Sequence, residues 1–285
     1  MLDKVCEKTR ATASEALLKV IRQIWGKSFS ERQLKDLWME ELRKSERLFP
    51  SGWYCPPPEG CGVLIGNENN PGRLNYDTLR KEGIWPQANI KFNIKTGLAY
   101  IFASPVDKET GIIGDFGLTV YAGKDKEIIN HFKRVYLVNQ QIVGEIRSGL
   151  KVSEVYNKAI HIFSAVNLTN NVRSSTDIVG TNIGHSIPGT LDPYSETELA
   201  VIKSDNWQAA GDLISQKRVF FNGKTDYVFK PGDCFTLEPR LTDLKTPNLP
   251  MVSFHTIMRV TADGAELIEN FDKIFLATKM DYMVV

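Results

Sequence analysis

Apolar side chains recur at helical spacing in four stretches of the chain, two near its start and two in its middle. The first covers 12–25, and the second follows Ser28-Phe29-Ser30-Glu31, a Ser-x-x-Glu pattern that we interpret as a helix-capping box. The third runs over 126–146 with Asp125 as its expected N-cap, and the fourth runs from Val152 through Ile162. The pattern therefore predicts two pairs of amphipathic helices.

Alternating apolar and polar residues predict strands over 90–103, with a break near Thr96-Gly97, and over 116–122. Residues 50–90 contain clustered prolines and asparagines and show no regular period, so they form either a surface loop or a lid over a site. The C-terminal third is rich in strand patterns, with Asp263-Gly264 as a hairpin turn between the last two. We expect strands there over 218–221, 234–237, 252–260 and 266–268.

A faint repeat joins the two helix pairs. Gly26-Lys27-Ser28-Phe29-Ser30-Glu31 and Gly149-Leu150-Lys151-Val152-Ser153-Glu154 carry Gly, an apolar residue, Ser and Glu at the same offsets, and each follows one helix and opens the next. Such a repeat in two halves indicates a pseudo-symmetric α+β fold. Because no linker or low-complexity tract divides the chain, we expect residues 1–285 to form a single domain.

Charge and composition narrow the classes of partner. Lys plus Arg (35) and Asp plus Glu (34) nearly balance, which gives no general attraction to nucleic acid or to an anionic membrane. No apolar run approaches the ~20 residues of a membrane span, the start of the chain lacks a signal peptide, and we expect a cytoplasmic protein. Cys55 and Cys61 could pair, but reduced thiols are expected there. His131 and His161 lie on helical patterns and are interpreted as ordinary helix residues.

Three short segments place a polar residue among glycines and prolines. His185 lies within Gly180–Gly189, where the lack of bulk indicates a backbone that must approach another part of the molecule closely. Glu238 is the last residue of a predicted strand that Pro239 ends. Asp115 is the last residue of the segment Gly111-Ile112-Ile113-Gly114-Asp115. Asp, His and Glu from three separate segments are the ligands of a divalent metal or the members of an acid–base cluster.

Four motifs, in the expected order, resemble those of the pita-bread family, which includes methionine aminopeptidase, aminopeptidase P and creatinase. Gly184-His185-Ser186-Ile187-Pro188-Gly189 resembles the family's Gly-His-Gly-Ile-Gly, and Gly232–Pro239 resembles its Gly-hydrophobic-Phe-Thr-Ile-Glu-Pro. Thr256–Gly264 resembles its last strand and turn, and Gly149–Glu154 one of its helix starts. The resemblance covers nearly all of the chain and implies the pita-bread (creatinase/aminopeptidase) fold, as a catalytic domain without the extra N-terminal domain of creatinase and aminopeptidase P.

The resemblance also implies a site, which in this family is typically a pair of metal ions held by two Asp, one His and two Glu. Asp115 matches the second Asp, His185 the His and Glu238 the first Glu. In another register Asp115 is the first Asp, and Lys126 then stands at the position of the second, one residue beyond Asp125. One Asp is missing in either register.

Three other family positions depart from the pattern. In the first register the missing Asp falls on Ser104, and the last Glu falls on Phe254, which precedes His255. A second histidine of the family falls on Asp192. Because Phe254 and His255 should point to opposite faces of a strand, His255 would reach the site only through a β-bulge.

With three of five ligands kept, the resemblance implies one divalent ion, either Mn, Fe, Co or Zn, held by Asp115, His185 and Glu238. Three protein ligands leave positions open for water or substrate. The function expected from this site is that of an atypical metallopeptidase-like hydrolase, which cleaves a C–N bond in a small peptide-like or amino-acid-derived substrate.

Two alternatives stay open. Creatinase-like members of the family work without metal, and by that resemblance His185 would shuttle a proton, with its pKa raised by the nearby carboxylates and with Asp192 or His255 as its partner. The fold also serves some members as a non-catalytic binding module. For each of these three functions we expect neither nucleic acid nor a membrane as a partner. The protein could form a homodimer.

Overall fold

The computed structural model describes residues 2–172, 174, 176–204 and 206–284. Within these residues, two long helices near the start and two in the middle are followed by shorter ones toward the end. The α-helices are α1 (Leu2–Ile24), α2 (Glu31–Arg43), α3 (Lys126–Gly144), α4 (Val152–Ala165), α5 (Glu196–Ile202), α6 (Trp207–Gln216) and α7 (Asp272–Ala277). Short 3-10 turns lie at Pro58–Gly60, Gly72–Leu74, Glu82–Ile84 and Asp281–Met283.

The strands form one large antiparallel sheet and one small one. They are β1 (Cys61–Asn67), β2 (Gly97–Ala103), β3 (Phe116–Tyr121), β4 (Leu168–Asn170), β5 (Cys234–Leu237), β6 (Leu241–Asp243), β7 (Phe254–Val260) and β8 (Ala265–Ile268). The large sheet has the order β1-β2-β3-β7-β5, with β8 also paired to β7, while β4 pairs with β6. Strand β7 is therefore the junction of the large sheet, because it pairs with β3, β5 and β8.

The first helix pair differs from its prediction at both starts. Helix α1 begins at Leu2 rather than near residue 12. Helix α2 is capped by Ser30, whose Oγ accepts from the Gln33 amide at 3.1 Å, so the capping box proposed from Ser28 is wrong. The physical reason is that Glu31 is fully buried and points away from the cap, where it accepts from the amide of Ile65 at 2.8 Å.

The second helix pair follows the sequence pattern closely. Asp125 caps α3, since its Oδ1 accepts from the amides two and three residues on, at 2.8 and 3.0 Å. Helix α4 opens at Val152, as predicted, and the Glu154 carboxylate accepts from the Lys151 amide. Gly26 and Gly149 both have positive φ, 87° and 91°, between the helices of each pair. The repeat seen in the sequence therefore corresponds to matching places in the two halves.

Several strands differ from the alternation pattern. Only Gly97–Ala103 of the predicted 90–103 is a strand, and 218–221 contributes an isolated bridge between His185 and Phe220 rather than a strand. The irregular stretch 50–90 contains strand β1, which pairs along its whole length with β2. The hydrogen bonds of a strand depend on a partner distant in sequence, and so local alternation places strand boundaries poorly.

The core lies between the large sheet and the helices. Phe254 of β7 anchors it, with ring centroids 5.3 to 6.1 Å from four aromatic rings of helix α3 and the segment around α7, namely Phe132, Tyr136, Phe271 and Phe275. The four cysteines, including Cys55 and Cys61, are free thiols. Among the described residues, none of the helices combines the length and apolar character needed to cross a bilayer.

His131 on α3 makes the fold sensitive to acid. Its ring is 1% exposed, Nε2 donates to the Pro250 carbonyl at 3.0 Å, and Nδ1 accepts from Arg134 at 3.1 Å. Burial, followed by the Arg134 charge, lowers the pKa of His131 to about 4. The unfolded chain therefore takes up a proton below about pH 6.5 that the folded protein takes up only near pH 4.

We predict that His131→Gln reduces the loss of unfolding free energy between pH 7 and pH 4 by on the order of 1–3 kcal/mol, because the substituted side chain does not titrate. Urea unfolding across this range measures the difference, with His161→Gln as the matched control since His161 is exposed on α4. Identical pH profiles for His131→Gln and the wild type would contradict the prediction.

Candidate functional site

Asp115 is the residue directly before strand β3, and its side chain is completely buried in the site. Its Oδ1 accepts from the indole Nε1 of Trp53 at 2.7 Å, and its main-chain carbonyl accepts from Arg10. The other carboxylate oxygen, Oδ2, has no hydrogen-bond partner in the described part of the chain. Burial raises the pKa of Asp115 well above its usual range, partly opposed by the Trp53 hydrogen bond.

His185 reaches the site because its segment pairs with the edge of β5. Its amide donates to Thr236 Oγ1 at 2.9 Å, and its carbonyl accepts from the Thr236 amide at 2.7 Å. Gly184 permits this approach, since a Cβ there would lie 2.1 Å from the Thr236 carbonyl oxygen. The glycine before the histidine thus has the role predicted from its lack of bulk.

The imidazole of His185 is held with one nitrogen facing the site. Nδ1 donates to the Ser186 carbonyl at 2.9 Å, so Nε2 carries the lone pair. Nε2 lies 3.7 Å from Asp115 Oδ2 and 3.5 Å from Glu238 Oε1. Burial, and then the charge of Arg218, lower the pKa of His185 to about 3, so the expectation of a raised pKa is wrong. Removal from water disfavours the charged form of the ring.

Glu238 follows strand β5 and faces the open side of the site. Its amide donates to the Ile183 carbonyl at 2.8 Å, and Oε1 accepts from Thr236 Oγ1 at 3.3 Å. Its side chain keeps 24% of its surface exposed toward the cleft. Burial of the carboxylate raises the pKa of Glu238 to about 7, against the opposing charges of Arg240 and Arg218.

His255 also faces the site, contrary to the prediction for its strand. Its Nδ1 lies 3.3 Å from Glu238 Oε2, and its ring stacks on Phe102 with centroids 5.4 Å apart. Neither ring nitrogen makes a hydrogen bond to a described residue, and burial, then the charge of Arg10, lower the pKa of His255 well below its usual value. Phe254 points to the core instead.

The expected bulge is not needed. Strand β7 pairs first with β3, at Phe254 and His255, and then with β5 from Thr256, with no inserted residue in either paired stretch. The interpretation that Phe254 occupies the site position was therefore one residue out of register. From the sequence alone, either of two adjacent residues can be assigned to the site face of a strand. The pairing with the neighbouring strands decides which one it is.

The other residues predicted by family spacing lie outside the site. Ser104 is buried against the preceding loop, where its Oγ donates to the Gly60 carbonyl and accepts from the Tyr54 amide, both at 3.1 Å. Asp192 is exposed in the turn after the His185 segment and does not line the cleft, so its proposed pairing with His185 is wrong. Asp125 caps helix α3, so the alternative register has no second Asp to serve as a ligand.

Trp53 is the functional residue that sequence reasoning missed. It is 5% exposed, hydrogen-bonds Asp115 and meets the His185 ring edge-on, with centroids 5.4 Å apart. The sign of this role in the sequence is that a large aromatic residue lies within the irregular stretch 50–90. Four residues of this stretch line the cleft, as the lid interpretation predicts, namely Trp53, Tyr54, Tyr76 and Leu79.

The cleft above the cluster has aromatic walls. Two arginines face it, with Arg218 stacked 4.7 Å from the Trp53 ring centroid and Arg240 stacked 4.5 Å from that of Tyr76. Its lining residues are Trp53, Tyr54, Tyr76, Leu79, Tyr100, Phe102, Asp115, Val172, Ser174, Asn182, His185, Arg218, Phe220, Glu238 and Arg240.

The distances between side chains show how far the cluster fits a metal ion. Two ligands bonded to one ion at ~2.1 Å lie about 3 to 3.7 Å apart for the usual angles. The contacts of His185 Nε2 with the two carboxylates, 3.5 and 3.7 Å, fit that range, and the unpartnered Asp115 Oδ2 is a free ligand atom. Among the described residues, however, no group of three or more His, Cys, Asp or Glu side chains is arranged so that it could hold a metal ion. The distances therefore suit an ion only for each His–carboxylate pair taken separately.

Comparison with known proteins relates the chain to a family. The model of metallopeptidase family M24 matches residues 2–262, whereas no curated protein sequence matches the chain. The fold is similar to that of X-Pro aminopeptidase from Thermotoga maritima (TM-score 0.61, 10% identity, 92% of this chain and 59% of that one). It is also similar to that of prolidase from Pyrococcus furiosus (TM-score 0.62, 14% identity, 93% of this chain and 63% of that one).

A methionine aminopeptidase from Rickettsia prowazekii has a similar length as well as a similar fold (TM-score 0.61, 14% identity, 94% of this chain and 96% of that one). The chain thus spans about three fifths of the X-Pro aminopeptidase and the prolidase, and nearly all of the methionine aminopeptidase. At these identities the structural likeness concerns the fold.

The raised pKa of Glu238 predicts a pH effect in metal-free protein. The folded state holds a proton up to about pH 7 that the unfolded chain releases near 4.5, so stability from this group is present below pH 4.5 and is lost as pH rises to 7. We expect Glu238→Gln to gain on the order of 1–3 kcal/mol of unfolding free energy relative to wild type between pH 4.5 and 8.

Denaturant unfolding in the presence of a chelator measures this difference. The exposed Glu46→Gln serves as the control and should keep the wild-type pH dependence. A Glu238→Gln curve parallel to the wild type at all pH values would show that the carboxylate is not held in its neutral form.

Proposed function

Because the chain belongs to metallopeptidase family M24 and has its pita-bread fold, we propose that this peptidase-type hydrolase uses a single divalent ion held by Asp115, His185 and Glu238. The substrate we propose is a small peptide-like or amino-acid-derived molecule, cleaved at a C–N bond. We propose further that residues 1–285 form one catalytic-type domain, since the family match covers 2–262.

The observation that carries the proposal is the orientation of His185. Its Nδ1 proton is committed to the Ser186 carbonyl, and its Nε2 lone pair faces oxygens of Asp115 and Glu238. A neutral imidazole fixed through its other nitrogen is the form that binds metals. Its low pKa also makes His185 a weak base, which weighs against a metal-free proton shuttle through this ring.

Bound there, a Mn, Fe, Co or Zn ion would polarise the scissile carbonyl and make a water molecule acidic enough to attack it. The protein's own groups then handle the proton. Glu238 Oε2, with His255 Nδ1 3.3 Å away, can accept it from the attacking water and pass it to the leaving nitrogen. Trp53 orients the Asp115 carboxylate through its 2.7 Å hydrogen bond.

The cleft supports a small substrate. Its aromatic walls would shield the reacting bond from water, which would strengthen the electrostatic interactions within the site. Arg218 and Arg240 leave cationic groups beside the carboxylates at the position where the substrate would lie. These features support a short peptide more than an extended polymer.

We predict metal-dependent release of the N-terminal residue from short peptides. A panel that varies the first two residues, including N-terminal Met and second-position Pro, should show turnover with Mn²⁺, Fe²⁺, Co²⁺ or Zn²⁺ and none after chelation. Turnover that resists the chelator would support the metal-free reaction. Absence of turnover and of metal binding would indicate a binding module.

Glu238→Gln tests the ligand assignment. Replacing an anionic ligand by a neutral one should weaken metal binding by about tenfold or more, with activity partly restored by excess ion. Titration calorimetry with Mn²⁺ gives the affinity, and Glu46→Gln is the control with the same change at an exposed position. Unchanged Mn²⁺ affinity in Glu238→Gln would remove Glu238 from the ligand set.

A further inference from the structure

Arg10 on helix α1 is a fully buried cation behind the site. Its Nη1 donates to the main-chain carbonyl of Asp115, and its Nη2 donates to that of His255 at 2.7 Å. Nη2 and Nε also donate to the Glu269 carbonyl, at 2.7 and 3.2 Å. One guanidinium therefore ties together the chain before β3, strand β7 and the segment after β8.

The packing around Arg10 leaves the guanidinium little freedom. Its central carbon lies 4.8 Å from the centroid of the Phe116 ring and 5.2 Å from that of Phe271. Gly114 allows helix α1 to approach the Asp115 segment, because a Cβ at Gly114 would lie 2.4 Å from the Arg10 amide nitrogen. The glycine immediately before Asp115 in the sequence motif is thus explained by contact with α1.

We propose that Arg10 is a positioning residue that sets the separation of Asp115 and His255, and through them the shape of the cluster around Glu238. The metal-affinity part of this proposal rests on the proposed function, whereas the positional part does not. A guanidinium is planar and fixes the directions of its donors, so the two carbonyls are held at a defined distance and angle. The side chains of Asp115 and His255 project into the site from those same two residues.

A second arginine provides a control. Arg73 also donates to three main-chain carbonyls, those of Gly83, Ile84 and Trp85, at 2.7 to 3.1 Å. Its guanidinium pairs with the buried Glu31 as well, and none of these residues lines the cleft. Arg10→Met and Arg73→Met both remove a carbonyl-binding guanidinium and should both lower the melting temperature. Only Arg10→Met should disturb the site.

The decisive readout is the indole resonance of Trp53, whose Nε1–H donates to Asp115 Oδ1. With five tryptophans in the chain, the indole region of a nitrogen–proton correlation spectrum is simple to assign. We expect Arg10→Met to shift the Trp53 resonance and speed its hydrogen exchange, and Arg73→Met to leave both unchanged. A folded Arg10→Met protein with a wild-type Trp53 resonance would overturn the proposal.

Mn²⁺ titration adds a second readout. We expect Arg10→Met to weaken Mn²⁺ binding about 10- to 100-fold, the range found for residues that position metal ligands, and Arg73→Met to match wild type. If wild type itself binds no Mn²⁺, the proposed function fails, and the indole resonance still decides the role of Arg10.

Arg10→Lys keeps the proposal testable if Arg10→Met does not fold. Lysine retains the charge but lacks the planar fork, so the Trp53 resonance should move in the folded Lys variant as well. A Trp53 resonance identical to wild type in Arg10→Lys would show that buried charge alone is needed, and the positional role would be wrong.

Discussion

Four ionisable side chains, those of Asp115, Glu238, His185 and His255, lie together where water is largely excluded, and this removal from water governs the chemistry of the site. It favours the neutral form of each group, so the pKa values of the two acids rise and those of the two imidazoles fall. Polar atoms that would be hydrated at the surface, such as Asp115 Oδ2, are left without partners among the described residues. A cation at this place would favour the ionised form of the two acids and would keep the two imidazoles neutral, the form that binds metals.

The scaffold maintains this arrangement mostly through main-chain contacts. The His185 segment is fixed to β5 by reciprocal hydrogen bonds with Thr236, and Gly184 allows the chains to approach. Behind the site, Arg10 ties the backbone at Asp115 to strand β7. Trp53, from the irregular stretch 50–90, holds the Asp115 carboxylate through its indole hydrogen bond. Motion of any one of these elements would alter the shape of the whole cluster.

The parts of this arrangement that the sequence predicted are those encoded locally. The long helices follow from apolar spacing, and the segments carrying Asp115, His185 and Glu238 were found because each motif is short and contiguous. The face of β7 was not predictable, because Phe254 and His255 are both compatible with a buried position and only the pairing with β3 and β5 decides between them. Trp53 was missed for a related reason: its role depends on contacts distant in sequence, within a stretch that has no period of its own.

Anomalous diffraction from crystals soaked in Mn²⁺ tests most directly whether the cluster holds a single ion. A single-ion site predicts one anomalous peak per chain, within bonding distance (~2.0–2.3 Å) of His185 Nε2 and of carboxylate oxygens of Asp115 and Glu238. Two peaks in the cleft would contradict the single-ion site. The absence of a peak at saturating Mn²⁺ would contradict the metal centre itself.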